Sequence, residues 1–386
     1  MAAAQAAAQA EPGVPVGFVG RLPRVAEFDS LEAYSSAIAA ALEARSREVA
    51  SEPQGRSAAA AAVPVTGGIA RVGLGEVREP EFLAGWARRG TPVVLTGCGA
   101  SAGWDIEGTW SVEGLAREHG DCPWTARRGK TYEHMETVET TLGQYLASAA
   151  ASAAASAAAA AAPSAAPGSS GCNNGGGGGQ LQYYGANNYV PPDLVAELRL
   201  PPVVPAHVLR LLDTRLWIGP PGCGAPLHRD LQDNFLLQLF GRKAVTLVPP
   251  HHAQALGVTP VSPFLHTTAV PAGVAPPPET SPVTVVLKPG EMLYIPAGWF
   301  HATDTRAAAL AVQAEQSPEI EPPARPATAR PAAAADLLGS SGLSGSVNFF
   351  MSACFAAVGV IVPELQPPDW FGPPPPLMVA AAAGPS

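Results

Sequence analysis

The apolar residues in the second half of this chain recur in short runs, many of them with the two-residue alternation of a β-strand. The runs predict strands over residues 214–218, 226–230, 234–240, 243–248, 284–288 and 292–295. Gly241-Arg242 separates two of the runs, and this position predicts a tight hairpin turn. Many short strands separated by glycine and proline turns favour a closed or double-sheet all-β core.

Helical spacing is confined to the first half of the chain. A helix is predicted from a cap at Asp29 or Ser30 to about residue 49, with Ile38 and Leu42 on its apolar stripe. Further helices are predicted over residues 81–89, 110–119 and 137–147. Together the patterns predict a mainly β protein with flanking α-helices.

Composition divides the chain into foldable and low-complexity parts. Charged residues make up 14% of the sequence, against about a quarter in ordinary globular domains, because alanine, glycine and proline are concentrated in blocks. Such blocks cannot bury a core, so we expect disordered insertions at about 148–180 and 311–343 and a disordered Pro/Ala tail at 366–386. We also expect a low-complexity leader with one helix at residues 1–62 and a single folded domain at 63–365.

Charge and cysteine usage narrow the class of protein. A formal net charge of −9 argues against binding that rests on phosphate neutralisation. The five cysteines are scattered and form no CxxC pair, which argues against a disulfide framework and favours a reducing compartment. Residues 1–10 lack the features of a signal peptide, and no apolar stretch has membrane-spanning composition. We expect a cytoplasmic or nuclear protein, with an organellar transit peptide as the alternative; the pattern predicts no oligomeric state.

A His-x-Asp triplet gives the strongest chemical signal. His228 and Asp230 stand two residues apart on a predicted strand, so their side chains share one face. His301 follows a predicted strand that ends in Pro-Ala-Gly, and it is a candidate third ligand. Two histidines and one carboxylate leave coordination positions open, as Fe(II) oxygenases require. A single histidine is more often a satisfied core residue, but the two motifs together favour a metal site.

Lys243 opens the strand that follows the Gly241 turn, and its environment has two interpretations. An isolated lysine after a glycine is usually a solvated hairpin residue. Inside a barrel the same lysine would need an anionic partner, because an unpaired buried charge is costly. The residue pattern by itself leaves both interpretations open.

Several segments resemble the JmjC hydroxylases of the cupin-8 group, which include asparaginyl, arginyl and lysyl hydroxylases and the tRNA wybutosine hydroxylase. The resemblance is carried by residues 217–220, 227–243, 289–301, 90–95 and 110–111. It extends over about residues 75 to 350. It implies a double-stranded β-helix, the jelly-roll or cupin core of JmjC proteins, with flanking helices.

The resemblance also implies a site. His228, Asp230 and His301 would be ligands of Fe(II), and Lys243 would anchor the far carboxylate of 2-oxoglutarate. Three further residues match positions that line the co-substrate pocket in the family: Asn234, Tyr184 and Asn348.

Three features depart from the family pattern. Ala225 stands where a hydroxyl residue usually precedes the first ligand, so one hydrogen bond to the co-substrate would be lost. Arg229 replaces a commoner Tyr or Gln and is expected to alter the rim of the site. The second insertion lengthens the approach to the last core strand, which could lie at residues 346–351 or at 307–313.

The activity implied by the resemblance uses Fe(II), 2-oxoglutarate and O₂ and needs no general base. We expect hydroxylation of a protein or peptide side chain with release of succinate and CO₂, because the motif set lacks the reader domains typical of chromatin enzymes. A histone lysine demethylase or a tRNA-base hydroxylase is the alternative, and the acidic chain makes nucleic acid the less favoured substrate. A non-catalytic cupin-like binding protein is a second alternative, which Ala225 and the insertions leave open.

Overall fold

Two β-sheets and a layer of helices make up the computed structural model, which describes residues 31–51, 68–129, 136–161, 183–195, 197–204, 211–262, 265–305 and 342–351. The predicted tail and most of the predicted leader and second insertion lie outside these residues. The mainly β architecture with helices on its outside confirms the predicted fold class, a double-sheet core of the double-stranded β-helix type.

Nine strands form the larger sheet in the part of the chain that is described, and all neighbours are antiparallel except the first two. Strands are numbered in chain order, and their order across the sheet is β1 (Ala70–Gly73), β2 (Val93–Thr96), β13 (Met292–Ile295), β8 (Asp233–Phe240), β15 (Ser344–Met351), β6 (Leu211–Gly219), β5 (Tyr183–Tyr189), β3 (Pro123–Arg128) and β4 (Thr137–Thr141).

The smaller sheet is antiparallel throughout its described strands. Its order is β10 (Thr259–Ser262), β11 (Leu265–Thr267), β7 (Gly224–Asp230), β14 (Phe300–Asp304), β9 (Lys243–Val248) and β12 (Val283–Leu287). β7 and β14 are neighbours at its centre, so residues far apart in the chain meet there.

Apolar side chains from both sheets meet in the space between them. Leu236 of β8 and Val245 and Leu247 of β9 belong to one buried cluster. The residues that alternate with Leu236 on β8, Phe235 and Leu237, belong instead to a larger cluster on the other face of that sheet. Because strand side chains alternate, each central strand has an inner face toward the facing sheet and an outer face toward the helices.

Helices lie outside both sheets, and aromatic residues pack on the outer face of the larger one. The helices are α1 (Leu31–Ser51), α2 (Glu79–Phe82), α3 (Cys98–Ser101), α4 (Val112–His119), α5 (Leu142–Ala161), α6 (Pro192–Val195) and α7 (Ala253–Leu256), with a π-helical turn at Leu83–Ala87 and 3-10 turns at Pro250–His252 and Pro278–Thr280. The ring of Phe82 lies 6.0 Å from that of Phe235, and Trp104 lies 6.0 Å from Phe349 of β15. Of the helices described, none has both the length and the apolar composition needed to cross a bilayer.

The predicted hairpin at Gly241-Arg242 is wrong. β8 and β9 lie in different sheets and do not pair, so the turn carries the chain from one sheet to the other. The turn is tight, since Gly241 has a φ of 63° and a Cβ there would lie 2.2 Å from the carbonyl oxygen of Leu343. Glycine thus identifies the turn, whereas the choice between pairing and crossing depends on sheet topology that the local pattern does not contain.

The segment before the first predicted insertion also differs from the prediction. The helix predicted at 137–147 begins only at Leu142, because the preceding β-branched run pairs with β3 as strand β4. The helix then continues to Ala161, well into the segment that we predicted to be disordered. Ala149 and Ala153 on this helix are buried, so its alanine-rich part packs against the core.

The last core strand is β15. It pairs with β6 on one side and with β8 on the other, so it is central to the larger sheet. The strand predicted at 346–351 is therefore observed, beginning at Ser344. The competing candidate at 307–313 lies outside the described residues.

Candidate metal centre and adjoining pocket

Two adjacent strands bring together the three residues predicted to bind a metal. His301 of β14 lies directly opposite His228 of β7, and on its other side it lies opposite Leu247 of β9. Asp230 follows His228 by two residues, so all three polar side chains share the inner face of the smaller sheet. The two histidines are 8% and 4% exposed, which places the group at the edge of the buried core.

The donor atoms of these residues converge. Nε2 of His301 lies 3.7 Å from Oδ2 of Asp230, and Nε2 of His228 lies 4.0 Å from the same oxygen. Nδ1 of His228 lies 2.8 Å from the carbonyl oxygen of Pro226, and Nδ1 of His301 lies 3.2 Å from that of Trp299. An Nδ1–H donated to each carbonyl leaves Nε2 as the unprotonated nitrogen, the form that coordinates a cation. The donor set, all within 4.8 Å of one another, fits a divalent metal held by two imidazoles and a carboxylate.

A tight loop before β14 fixes the position of His301. The N–H of Gly298 donates to the carbonyl of Asp230 at 2.8 Å, and the N–H of Ala297 donates to the carboxylate of Asp233 at 2.7 Å. Gly298 has a φ of 84°, which glycine adopts without strain. The Pro-Ala-Gly segment thus connects the two ligand-bearing parts of the chain, a role that its sequence alone does not identify.

Burial sets the protonation of the candidate ligands. Burial, with help from the neighbouring His228, lowers the pKa of His301 to about 3, so its imidazole is neutral at physiological pH. Burial raises the pKa of Asp230, and His228 opposes this shift. Metal binding needs neutral imidazoles and an ionised carboxylate, and a cation between these groups would favour that combination.

Lys243 points into the space between the sheets. It is 3% exposed, and its ammonium donates to the hydroxyl of Ser346 on β15. Burial lowers the pKa of Lys243 to about 7. Lys243 is therefore a buried amine and not the solvated hairpin residue of the first interpretation, and within the described ranges no carboxylate pairs with it.

Asn234 of β8 and Asn348 of β15 form an amide pair on the inner face of the larger sheet. Nδ2 of Asn348 donates to Oδ1 of Asn234 at 3.2 Å. Asn234 is 1% exposed, and among the described residues its own Nδ2 has no hydrogen-bond partner. Because an unsatisfied buried donor is costly, this position fits an acceptor supplied by a ligand.

Tyr184 of β5 packs against residues that neighbour Lys243. It is 2% exposed and packs with Cys223 and Trp217, and its ring centroid is 6.1 Å from that of Trp217. Trp217 lies opposite Ser346, whose hydroxyl contacts Lys243. The structure therefore brings Tyr184 into the neighbourhood of the lysine through an aromatic contact.

A β-bulge directs Ala225 toward the inner face of the smaller sheet. His301 pairs with His228, and Thr303 pairs with Ala225. Between these two pairs β14 advances by two residues and β7 by three. The extra residue places Ala225 on the face that carries His228. The N–H of Ala225 donates to the hydroxyl of Thr303 at 2.9 Å, and its methyl group occupies the position where the family pattern has a hydroxyl.

Arg229 does not alter the rim, contrary to the prediction. It alternates with the candidate ligands, so it faces the outer side of the smaller sheet, where it is 3% exposed. Its NH1 lies 2.9 Å from Oε1 of Glu43 on α1, and its Nε donates to Nδ1 of His266 at 3.2 Å. Burial lowers the pKa of Arg229, and the bond to Glu43 opposes that shift.

Two contacts of the site were missed in the sequence. Ser346, which contacts Lys243, stands two residues before Asn348 on one strand, so the alternation of Ser-Val-Asn could have placed both side chains on one face. Glu43, which pairs with Arg229, is separated from it by 186 residues. No local pattern carries a signal for that contact.

Comparisons with known proteins identify the family of this chain. The family model of the Cupin-like domain matches residues 78–314. Jumonji C domain-containing protein 5 of Drosophila melanogaster is 33% identical over 108 residues, which cover 26% of this chain and 27% of that protein. Lysine-specific demethylase 8 of Xenopus tropicalis is 34% identical over 92 residues, 22% of this chain and 20% of that protein.

A third relative is named for tRNA and not for a demethylase or a Jumonji C domain. The tRNA wybutosine-synthesizing protein 4 of Aspergillus oryzae is 40% identical over 77 residues, which cover 19% of this chain and 8% of that protein. The matched segments thus span between a twelfth and about a quarter of the lengths of these three relatives. The family model covers more than half of the chain, and this chain therefore belongs to the Cupin-like domain family, among its JmjC members.

Proposed function

We propose that this chain is an Fe(II)- and 2-oxoglutarate-dependent oxygenase that hydroxylates a protein side chain. The observation that carries the proposal is the convergence of His228, Asp230 and His301 on one inner face that also holds the buried Lys243. Two imidazoles and one carboxylate would hold Fe(II) and would leave other coordination positions open for a bidentate co-substrate and O₂.

The metal would be held by Nε2 of both histidines and by the carboxylate of Asp230. When bound with 2-oxoglutarate and O₂, Fe(II) supplies the oxidation in which the keto acid becomes succinate and CO₂ and one oxygen atom enters a substrate C–H bond. The side chains of this chain hold that geometry and keep water away. Leu236 and Leu247 provide the apolar surroundings on the two facing sheets.

The far carboxylate of 2-oxoglutarate would bind the ammonium of Lys243. Leu247 lies opposite His301, and Lys243 stands four residues earlier on β9, so about 13 Å of strand separates the two levels. The lysine side chain and a five-carbon dicarboxylate together can bridge such a span. Asn234, with its buried donor, is the next candidate contact for the co-substrate.

A protein or peptide is the substrate class that we propose. The net charge of −9 disfavours a partner bound through its phosphates. Names of relatives include a lysine-specific demethylase and a tRNA wybutosine-synthesizing protein, so demethylation and RNA modification are the alternatives to be tested. A cytoplasmic or nuclear location and a catalytic domain at 63–365 are part of the same proposal.

An unbiased screen that couples substrate turnover to succinate release tests this function. Purified protein with Fe(II) and 2-oxoglutarate would be offered peptide pools and RNA pools, with the His228→Ala protein as the inactive control. Mass spectrometry of a peptide that has gained one oxygen supports side-chain hydroxylation. Loss of a methyl group from lysine would identify a demethylase, and an oxidised base would identify an RNA hydroxylase. Absence of turnover in every pool would favour a binding protein.

We expect the affinity for 2-oxoglutarate to fall above neutral pH. Burial lowers the pKa of Lys243 to about 7, whereas the bound carboxylate needs the charged ammonium, so binding takes up a proton above that pH. The Kd should be flat below about pH 7 and rise by about tenfold per pH unit above it. Calorimetric titration of 2-oxoglutarate into Mn(II)-loaded protein measures this. Lys243→Arg, which stays charged, should flatten the profile, and an equal rise in that variant would exclude Lys243 as its source.

A hydroxyl restored at residue 225 should tighten co-substrate binding. Ala225 faces the pocket through the β-bulge, and a serine there would add one hydrogen bond, about 1 kcal/mol or roughly fivefold in Kd. The same calorimetric titration with Ala225→Ser measures it. Ala302→Ser is the matched control, because Ala302 packs with the outer cluster of the smaller sheet. Unchanged or weaker binding by Ala225→Ser would place the co-substrate elsewhere.

A further inference from the structure

Helix α1 lies outside the region that matches the family model, yet it contacts the ligand-bearing strand from behind. Oε1 of Glu43 lies 2.9 Å from NH1 of Arg229, and the two side chains are 23% and 4% exposed. Arg229 stands between the first two candidate ligands in the chain. Its guanidinium carbon lies 4.9 Å from the ring centroid of Phe300, which directly precedes the third. One ion pair thus contacts both strands of the metal site.

Further contacts tie α1 to the same outer surface. Oγ of Ser35 lies 3.3 Å from Nε2 of His266, the histidine whose other ring nitrogen accepts from Arg229. The side chain of Leu42 packs on Gly298, where an added Cβ would lie 3.0 Å from it. The N–H of Gly298 in turn donates to the backbone carbonyl of Asp230. The helix therefore meets the ligand strand, its neighbour β11 and the loop before the second histidine.

The chemistry of these contacts suggests that α1 orients the ligand-bearing strand and does not only shield it from solvent. An apolar helix face, such as that of Ile38 and Leu42, would shield the strand without any buried charge. A buried ion pair adds little net stability compared with apolar side chains of the same size, but its bonds have fixed directions. Partners one step removed from a metal ligand commonly set ligand orientation and metal affinity.

We propose that Glu43 is a positioning residue for the metal site: by fixing Arg229 it holds the His228–Asp230 strand in register with the Phe300–His301 strand. This inference rests on the metal-binding function proposed above. It assigns control of the site to a helix that the family model does not cover, so α1 tunes the metal centre from outside the Cupin-like domain.

Co(II) binding provides a test with a spectroscopic readout. The wild-type chain and its Glu43→Gln and His228→Ala variants would be titrated with Co(II) while the visible absorption of the metal is recorded. We expect Glu43→Gln to bind Co(II) about tenfold more weakly and with an altered spectrum, since loss of such partners typically costs 10–100-fold in affinity. Glu48→Gln is the matched control, because Glu48 on the same helix is exposed and, among the residues that the structure describes, its carboxylate pairs only with Arg45, at 3.1 Å. It should leave affinity and spectrum unchanged.

The outcomes separate this inference from the proposed function. Wild-type Co(II) affinity and spectrum in Glu43→Gln, with binding lost in His228→Ala, would overturn the positioning role and leave the metal site intact. Absence of Co(II) binding by the wild-type protein would overturn both. A fall in thermal stability of Glu43→Gln without a change in the Co(II) spectrum also counts against positioning, because a purely structural helix would give that result.

A double variant guards against misfolding of Glu43→Gln. Glu43→Gln with Arg229→Met removes both charges and so leaves no uncompensated buried guanidinium. We expect this protein to fold with stability near that of the wild type and still to bind Co(II) about tenfold more weakly, because the directional bonds are gone. Wild-type Co(II) binding by the double variant would overturn the proposal.

Discussion

Alanine in place of His228 or Asp230 is expected to abolish both metal binding and succinate formation. Each variant removes one of three converging donors, and the remaining pair cannot complete a site in which all donors lie within 4.8 Å of one another. Both residues lie on the inner face, and truncation to alanine leaves the β7 pairing with β14 in place. The measurements are Co(II) absorption, for binding, and succinate release, for turnover, on the same preparations.

His252→Ala is the control for these two variants. His252 lies in the 3-10 turn Pro250–His252, next to α7 and away from the inner face, so its loss should change neither measurement. Circular dichroism would establish that the two site variants are folded. Succinate release at the wild-type rate by folded His228→Ala protein would refute the oxygenase proposal, because His228 would not be a metal ligand.

The three candidate metal ligands illustrate what a sequence can predict. His228 and Asp230 are local neighbours, and the period-two rule alone places them on one face. His301 is distant in the chain, and only its position after a strand that ends in Pro-Ala-Gly, together with the family resemblance, identifies it. The structure places it opposite His228 because β14 pairs with β7. Short-range periodicity predicted the strands, whereas the pairing partner came from resemblance.

The error at the predicted hairpin has a physical cause, which is that sheet topology is a long-range property. Gly241 marks a tight turn correctly, but the next strand crosses to the other sheet. Arg229 was assigned to the rim from the family pattern, although strand alternation places it on the face opposite His228 and Asp230, where it pairs with Glu43. The helix that runs to Ala161 was missed for a different reason, since composition alone was taken to exclude packing of an alanine run.

The inner face of the β-core carries a group of buried polar residues whose presence is costly without a ligand. Lys243, Asn234, Asn348 and Ser346 occupy positions on β8, β9 and β15 that apolar residues could fill. Lys243 has its pKa lowered by burial, and Asn234 has a buried donor without a partner in the described part of the chain. A ligand with several acceptor oxygens would relieve both groups, so function and stability should oppose each other here.

Lys243→Met is therefore expected to lose 2-oxoglutarate binding while making the ligand-free fold more stable. Methionine has nearly the same length, and it replaces a desolvated cation with an apolar chain. Binding of 2-oxoglutarate should weaken by about 100-fold or more, because its buried carboxylate would have no counter-charge. The free energy of unfolding at neutral pH should rise by about 1–4 kcal/mol, or roughly 2–10 °C in Tm. Calorimetric titration and urea unfolding measure the two effects.

The stability gain should depend on pH in a way that identifies its source. The pKa of Lys243 is about 7 in the folded protein and 10.5 ordinarily, so between these values the unfolded chain binds more protons. Stability contributed by this residue is therefore lowest below about pH 7 and rises toward pH 10.5. The methionine variant lacks that rise, so its advantage should shrink as the pH increases.

Lys288→Met, at an exposed lysine, should change neither stability nor binding. A Lys243→Met protein that unfolds more easily than the wild type at neutral pH would mean that the lysine stabilises the fold without a ligand, and the pocket would lose its strongest argument for an anionic co-substrate.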